Sequence, residues 1–400
     1  MSFAARKCCF QKRFQGYSHL TLAAQTKPIK SVELPQSQPG HGGAAPPVKN
    51  RYLFIDGLRG IAALCVLFHH CLLGTSMEVP LRMILPQVVQ LVCSYGAFGV
   101  QIFFVISGFV IAHSMRRMAS AKDFTKFVLR RQIRLDPPYW CVLALSFAAL
   151  AAERFMPGLQ SEPVPDLREV LLNLFYLQGV THVRNIVAGS WTLCLEVQFY
   201  LLTASFLMFG HFIAKRTSAK VGDFTVSLLI TALAVFSNIR AFHGALGPWF
   251  FDFWFYFASG LLCYRAYKGT TSPLFFGVAA AVLMITGIVG VNVALLVGAV
   301  TAVAVFVACR LNKLGSWLAH PIFQYFGKIS YSLYLINVLS AMSILRIGYK
   351  ITGNNTTFAV VWFVFAAVVS IAAAHLLYVF AEKPSLALAE RLKAKLWVDN

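Results

Sequence analysis

The chain has 400 residues, of which 58% are hydrophobic and only 12% charged, with a formal net charge of +20. A mean hydropathy of +0.67 excludes a soluble domain and points to a polytopic membrane protein. The charge is no nucleic-acid footprint, because the basic residues fall in short clusters between apolar runs, as membrane topology requires.

Residues 1–50 are polar, net basic and rich in Pro and Gly towards their end (QPGHGGAAPP). They lack the apolar core of a secretory signal, and a disordered cytoplasmic tail is expected there. Ten candidate spans follow, at about 58–76, 96–115, 137–152, 191–212, 223–239, 249–266, 273–289, 291–309, 321–345 and 357–380. Each is near the length that a hydrocarbon core of about 30 Å demands. The apolar segment 81–95 is short and reads as interfacial or as a helical extension. The expected fold is therefore an all-α polytopic membrane protein of about ten transmembrane helices. Its membrane domain covers 51–385, and 386–400 forms a short cytoplasmic tail.

Charge fixes the orientation. The segment 115–136 carries Arg116, Arg117, Lys122, Lys126, Arg130, Arg131 and Arg134 against Asp123 and Asp136, whereas 153–190 has three Arg and four acids. With smaller basic clusters after spans four, six and eight, both termini come out cytoplasmic, in a multi-pass protein of the inner (plasma) membrane. The nine cysteines form no C-x-x-C pair, so neither a zinc site nor a disulfide framework is expected.

The first span contains DGLRGIAALCVLFHH, Asp56 to His70. Ionisable groups at membrane depth are costly and usually functional. On an α-helix Arg59 and His70 are about 1100° apart, within roughly 20° of one face, while His69 points about 80° away. Asp56, three residues before Arg59, shares the stripe. A depth difference of about 16 Å separates Arg59 from His70.

Three more motifs follow in order. They are FGVQIFFVISGFVIA (98–112) with RRQIRLDPPYW (130–140), WTLCLEVQFYLL (191–202), and FGKISYSLYLIN (326–337) with Glu382-Lys383-Pro384 after the last span. Together, across about 51–385, they resemble the membrane-bound acyltransferase 3 family, which moves acyl groups onto sugars of polysaccharides, lipid-linked glycans, Nod factors or macrolides. The resemblance implies that Arg59, Arg131 and Arg134 contact an acyl-coenzyme A donor and that His70 is catalytic. It also places a glutamate at Glu196.

The chemistry is reasonable without the name. Transfer from a thioester to a hydroxyl needs a base, and histidine suits that role near neutral pH. Glu196 is expected either to orient His70 or to act as an acceptor-site acid. Arginine matches the coenzyme's phosphates with two parallel donors. Asp56, Tyr331 and Asn337 are supporting candidates. Tyr331, Ser332 and Tyr334 read equally as cavity wall or aromatic belt, and Ser107-Gly108 reads as a close helix contact. Histidines 113, 243, 320 and 375 read as structural.

Two positions depart from the family's pattern. Val197 follows Glu196 where a second glutamate is often found, and Asn337 stands where a histidine is common; asparagine cannot carry a proton. The fused esterase-like domain of some relatives has no counterpart after span ten, so direct transfer to the acceptor or to a separate protein is expected.

The sequence thus supports a membrane O-acyltransferase using acetyl-coenzyme A, or another acyl-coenzyme A, as a donor substrate. The acceptor is expected to be a carbohydrate, glycolipid or macrolide-like molecule, with neither a permanently bound cofactor nor a metal. The competing reading is a transporter or flippase of an anionic lipid or sugar, using the same arginines and histidine along a pathway; no similarity between the chain's halves supports it.

Overall fold

The structure, a computed structural model, describes residues 52–153, 163–242 and 250–396; the expected tail at 1–50 lies outside them. Among the described residues there is no β-strand. The helices are α1 (Leu53–Leu72), α2 (Glu78–Ile84), α3 (Gln87–Tyr95), α4 (Gly99–Ser114), α5 (Ala121–Glu153), α6 (Leu167–Leu174), α7 (Trp191–Arg216), α8 (Ala219–Phe242), α9 (Trp254–Tyr267), α10 (Pro273–Val289), α11 (Val293–Arg310), α12 (Pro321–Thr352), α13 (Thr356–Leu377) and α14 (Lys383–Leu396).

Each of the ten expected spans contains a helix, and among the described residues eight helical segments are long and apolar enough to cross a bilayer. The two shorter ones are α10, of 17 residues, and α9, of 14, or about 26 and 21 Å. Residues Trp254 to Arg265 of α9 are all buried, so neighbouring helices rather than lipid thickness set its length. The segment 81–95 forms α2 and α3, broken at Pro86, and α3 continues through a short 3₁₀ turn into α4. Start signals written in the sequence are used as written. Ser272, Asn292 and Asn355 cap α10, α11 and α13 through their side chains, which satisfies N–H groups the helix leaves free.

Glycine contacts bring the helices together. A Cβ on Gly60 of α1 would lie 2.6 Å from the Gly327 nitrogen of α12, and one on Gly327 would strike the Asp56 carbonyl. Gly108 of α4 and Gly260 of α9 interlock in the same way against the Phe257 and Val105 carbonyls. Small residues give membrane helices the close approach that hydrophobicity alone cannot drive.

The buried apolar side chains divide into two clusters. One gathers α4, α7, α8, α9, α10 and α11 with Phe54 and Ile55 of α1. The other gathers α5, α12, α13 and the later turns of α1. α1 belongs to both, and the polar site lies along their seam.

Candidate active site

A cavity of about 100 Å³ sits among α1, α4, α5, α7 and α12, walled by Arg59, Ser107, Arg131, Arg134, Glu196 and Tyr331 with apolar residues of α4. Four separated sequence motifs therefore meet at one place. Arg131 Nη2 donates to Glu196 Oε1 at 3.2 Å and its Nε to the Tyr200 hydroxyl at 3.0 Å. Ser107 Oγ also donates to Glu196 Oε1, at 3.2 Å. The guanidinium and carboxylate are only 11% and 17% exposed, so each charge depends on the other for compensation. Arg59 and Arg134 differ: among the described residues neither side chain has a hydrogen bond or an ion pair. Three cations face a single carboxylate across the cavity, which favours an anionic occupant.

Local backbone chemistry sets Arg134 in place. A double proline normally ends a helix, yet α5 runs through Pro137 and Pro138 to Glu153. Pro138 has no N–H for the Arg134 carbonyl four residues earlier. The Ser385 hydroxyl fills that vacancy at 3.0 Å, sharing its proton with the Glu382 carbonyl at 2.8 Å. The Tyr331 hydroxyl donates to the next carbonyl, Leu135, at 2.8 Å. On either side of the prolines, at Asp136 and Tyr139, α5 meets the α6–α7 segment. Burial raises the Tyr176 hydroxyl far above its usual value, so it stays protonated and donates to Asp136 at 2.8 Å.

Behind the cavity, the chain leaves α13 through a π-turn at Tyr378–Glu382, a form common at functional sites. It turns Glu382 inward, 2% exposed. Glu382 Oε2 accepts from the Ser332 hydroxyl at 2.6 Å and from its N–H at 3.2 Å, within electrostatic range of Arg59 and Arg134.

The remaining candidates fall elsewhere. His70 is half-buried and does not line the cavity; its ring meets His69 edge-on at 5.1 Å. His69 points away from the arginine stripe, its Nδ1 3.1 Å from the Cys93 carbonyl. No described contact joins Glu196 to His70, so the expectation that Glu196 orients that ring is replaced by its pairing with Arg131. Asn337 is fully buried and donates to the Leu333 and Tyr334 carbonyls of its own helix, away from the cavity wall. Asp56 packs its backbone on Gly327, also off that wall. Tyr334 does reach the cavity, its hydroxyl 3.0 Å from that of Thr192 and its ring 5.4 Å from that of Phe103.

Of the histidines read as structural, His320 accepts from the Ile322 N–H at the start of α12 and His375 meets the Tyr325 hydroxyl; His243 lies outside the described residues. Sequence reasoning assigned no role to Glu382, Ser385, Tyr200 or Thr192. The acid-Lys-Pro run had flagged Glu382, but only the tertiary fold shows what it faces. Gly108 is the close contact expected of it, while its neighbour Ser107 serves the site. Among the described residues, no three His, Cys, Asp or Glu side chains are disposed to hold a metal ion.

Comparison with known proteins identifies the family. A family model described as an acyltransferase domain matches residues 52–379. Exopolysaccharide production protein ExoZ of Rhizobium meliloti (strain 1021) is 27% identical over 273 residues, covering 64% of this chain and 80% of that protein. O-acetyltransferase PaAT-1 of Phomopsis amygdali is 26% identical over 181 residues, 36% of each chain. No solved structure gives a significant match. With most of its length covered by the one model, and the motifs gathered around one cavity, this chain belongs to the acyltransferase 3 family of multi-pass membrane acyltransferases.

Proposed function

We propose that the protein is an acyl-coenzyme A-dependent O-acyltransferase of the plasma (inner) membrane, most simply an O-acetyltransferase, acting on a hydroxyl of a carbohydrate or glycolipid. The observation that carries this reading is the pair of arginines, Arg59 and Arg134, that face the cavity with no hydrogen bond or ion pair among the described residues. Charge at membrane depth with no direct ion pair is expensive, and phosphate is the ligand that guanidinium geometry fits best. In this reading Arg59 and Arg134 take the donor's phosphates, arriving from the basic cytoplasmic side, while Arg131 stays with Glu196. A similar relative named for exopolysaccharide production and one named as an O-acetyltransferase support the acceptor class and the acyl group.

His70 is the proposed base. It lies on the Arg59 stripe of α1, about 16 Å further along, a depth the coenzyme's pantetheine arm is long enough to cover. There the acceptor oxygen forms an ester bond to the acyl carbon as the carbon–sulfur bond breaks. The hydroxyl proton passes to the imidazole and then to the departing thiolate. Glu196, on the cavity wall, is the proposed acceptor-side acid.

The test is turnover of labelled acetyl-coenzyme A by the purified full chain, with and without a glycan acceptor, for wild type and His70→Ala. Label appearing as base-labile ester on the glycan, and lost in His70→Ala while donor binding persists, is the expected result. Failure of the wild type to bind or turn over the thioester would overturn the reading.

A further inference from the structure

Glu382 is a buried carboxylate that the proposed chemistry does not use. Its position is unusual in one respect: it lies near two unpartnered arginines yet pairs with neither. Among the described residues it makes no ion pair, and its carboxylate accepts two hydrogen bonds, both from Ser332. The 2.6 Å bond from the Ser332 hydroxyl is short and charge-assisted, and it fixes the acceptor oxygen on the α12 side. The serine is itself fully buried in the core of α12, so this anchor cannot swing. Glu382 thus contributes negative charge to the arginine pair while leaving the guanidinium N–H groups free.

We infer that Glu382, tethered by Ser332, is a built-in counter-anion that lets the donor site stand empty and limits how tightly it holds an anionic ligand. The inference rests on the reading of Arg59 and Arg134 as the phosphate contacts. Its logic is linkage: a charge that stabilises the empty site and repels the ligand lowers affinity by the difference. Weaker holding favours release of the coenzyme after the acyl group has left, so one donor molecule can replace another.

The arrangement makes two predictions of opposite sign. Glu382→Gln keeps an amide oxygen to accept from Ser332 but removes the charge. The empty protein should then unfold at a lower temperature, while coenzyme A binds about tenfold more tightly, as expected for one charge a short distance beyond contact at moderate salt. Saturating coenzyme A should restore the thermal midpoint. Ser332→Ala does the reverse, because a carboxylate left with only the backbone N–H bond is loosened enough to swing onto Arg59 or Arg134 and compete with phosphate, so coenzyme A should bind more weakly. A carboxylate that merely holds the fold would weaken binding in both variants.

Isothermal titration of the full chain in detergent, with coenzyme A and with inorganic diphosphate as probes, separates the outcomes. Tighter binding of both probes by Glu382→Gln and weaker binding by Ser332→Ala is the expected result. Tighter diphosphate binding by Glu382→Gln, with no coenzyme A binding by any form, would retain the counter-anion and overturn the donor assignment. Equal or weaker binding of coenzyme A by Glu382→Gln would overturn the inference and leave the donor assignment standing. Absence of binding by either probe would overturn both.

Discussion

Arg134 and Arg131 lie three residues apart on one helix and face one cavity, yet their removal should have opposite consequences. Arg131 is compensated: it holds Glu196 at 3.2 Å and the Tyr200 hydroxyl at 3.0 Å. Arg131→Gln leaves a carboxylate 17% exposed with only the neutral hydroxyls of Ser107 and Tyr200 beside it. Breaking a buried pair from one side costs about 3–5 kcal/mol; the cavity admits some water, so about 3 kcal/mol is expected. Arg134 has no such partner, so Arg134→Gln removes a desolvated charge and should leave the thermal midpoint unchanged or raise it.

The ligand response runs the other way. A hydrogen bond to a charged group is worth about 1.5–3 kcal/mol, so Arg134→Gln should weaken coenzyme A by a factor of about ten to a hundred. The assay is thermal unfolding in detergent, followed by intrinsic fluorescence, with calorimetric titration of coenzyme A on the same preparations. A midpoint that falls as far for Arg134→Gln as for Arg131→Gln would show that Arg134 is a structural cation and would refute the surplus-charge reasoning.

Other substitutions probe separate links. Ser385→Ala uncovers the Arg134 carbonyl that Pro138 cannot serve; a loss of about 1–2 kcal/mol is expected from the orphaned acceptor, measured as a lower unfolding midpoint and recovered in Ser385→Thr. Gly327→Ala drives a methyl group into the Asp56 carbonyl, where no side chain can yield. Separation of α1 from α12 should cost about 1–3 kcal/mol, seen as a smaller monodisperse fraction on size exclusion. The adjacent histidines should differ in kind. His69→Ala loses its link to Cys93 and its edge-on contact with the His70 ring and should keep most turnover, whereas His70→Ala should reduce acyl transfer by about 10²–10⁴ with an unchanged midpoint; equal losses in the two would remove His70 from the base role.

The membrane character, the helical class and the placing of the spans were legible in sequence because a bilayer imposes one length scale and one polarity on every segment that crosses it. The arginine pattern was legible for the same reason, since charge at membrane depth is rare enough to stand out. What the sequence could not decide was pairing. Spacing alone treats Arg59, Arg131 and Arg134 as equivalents, while the fold commits Arg131 to Glu196 and leaves the other two open. Periodicity set His70 on the Arg59 stripe, but whether it borders the cavity depends on how far the neighbouring helices extend. A double proline normally marks a helix end, yet α5 continues because a serine about 250 residues later supplies the missing hydrogen bond. Glu382 carried no signal of its own beyond its motif, because a carboxylate acquires a role only from the charges that tertiary packing sets around it.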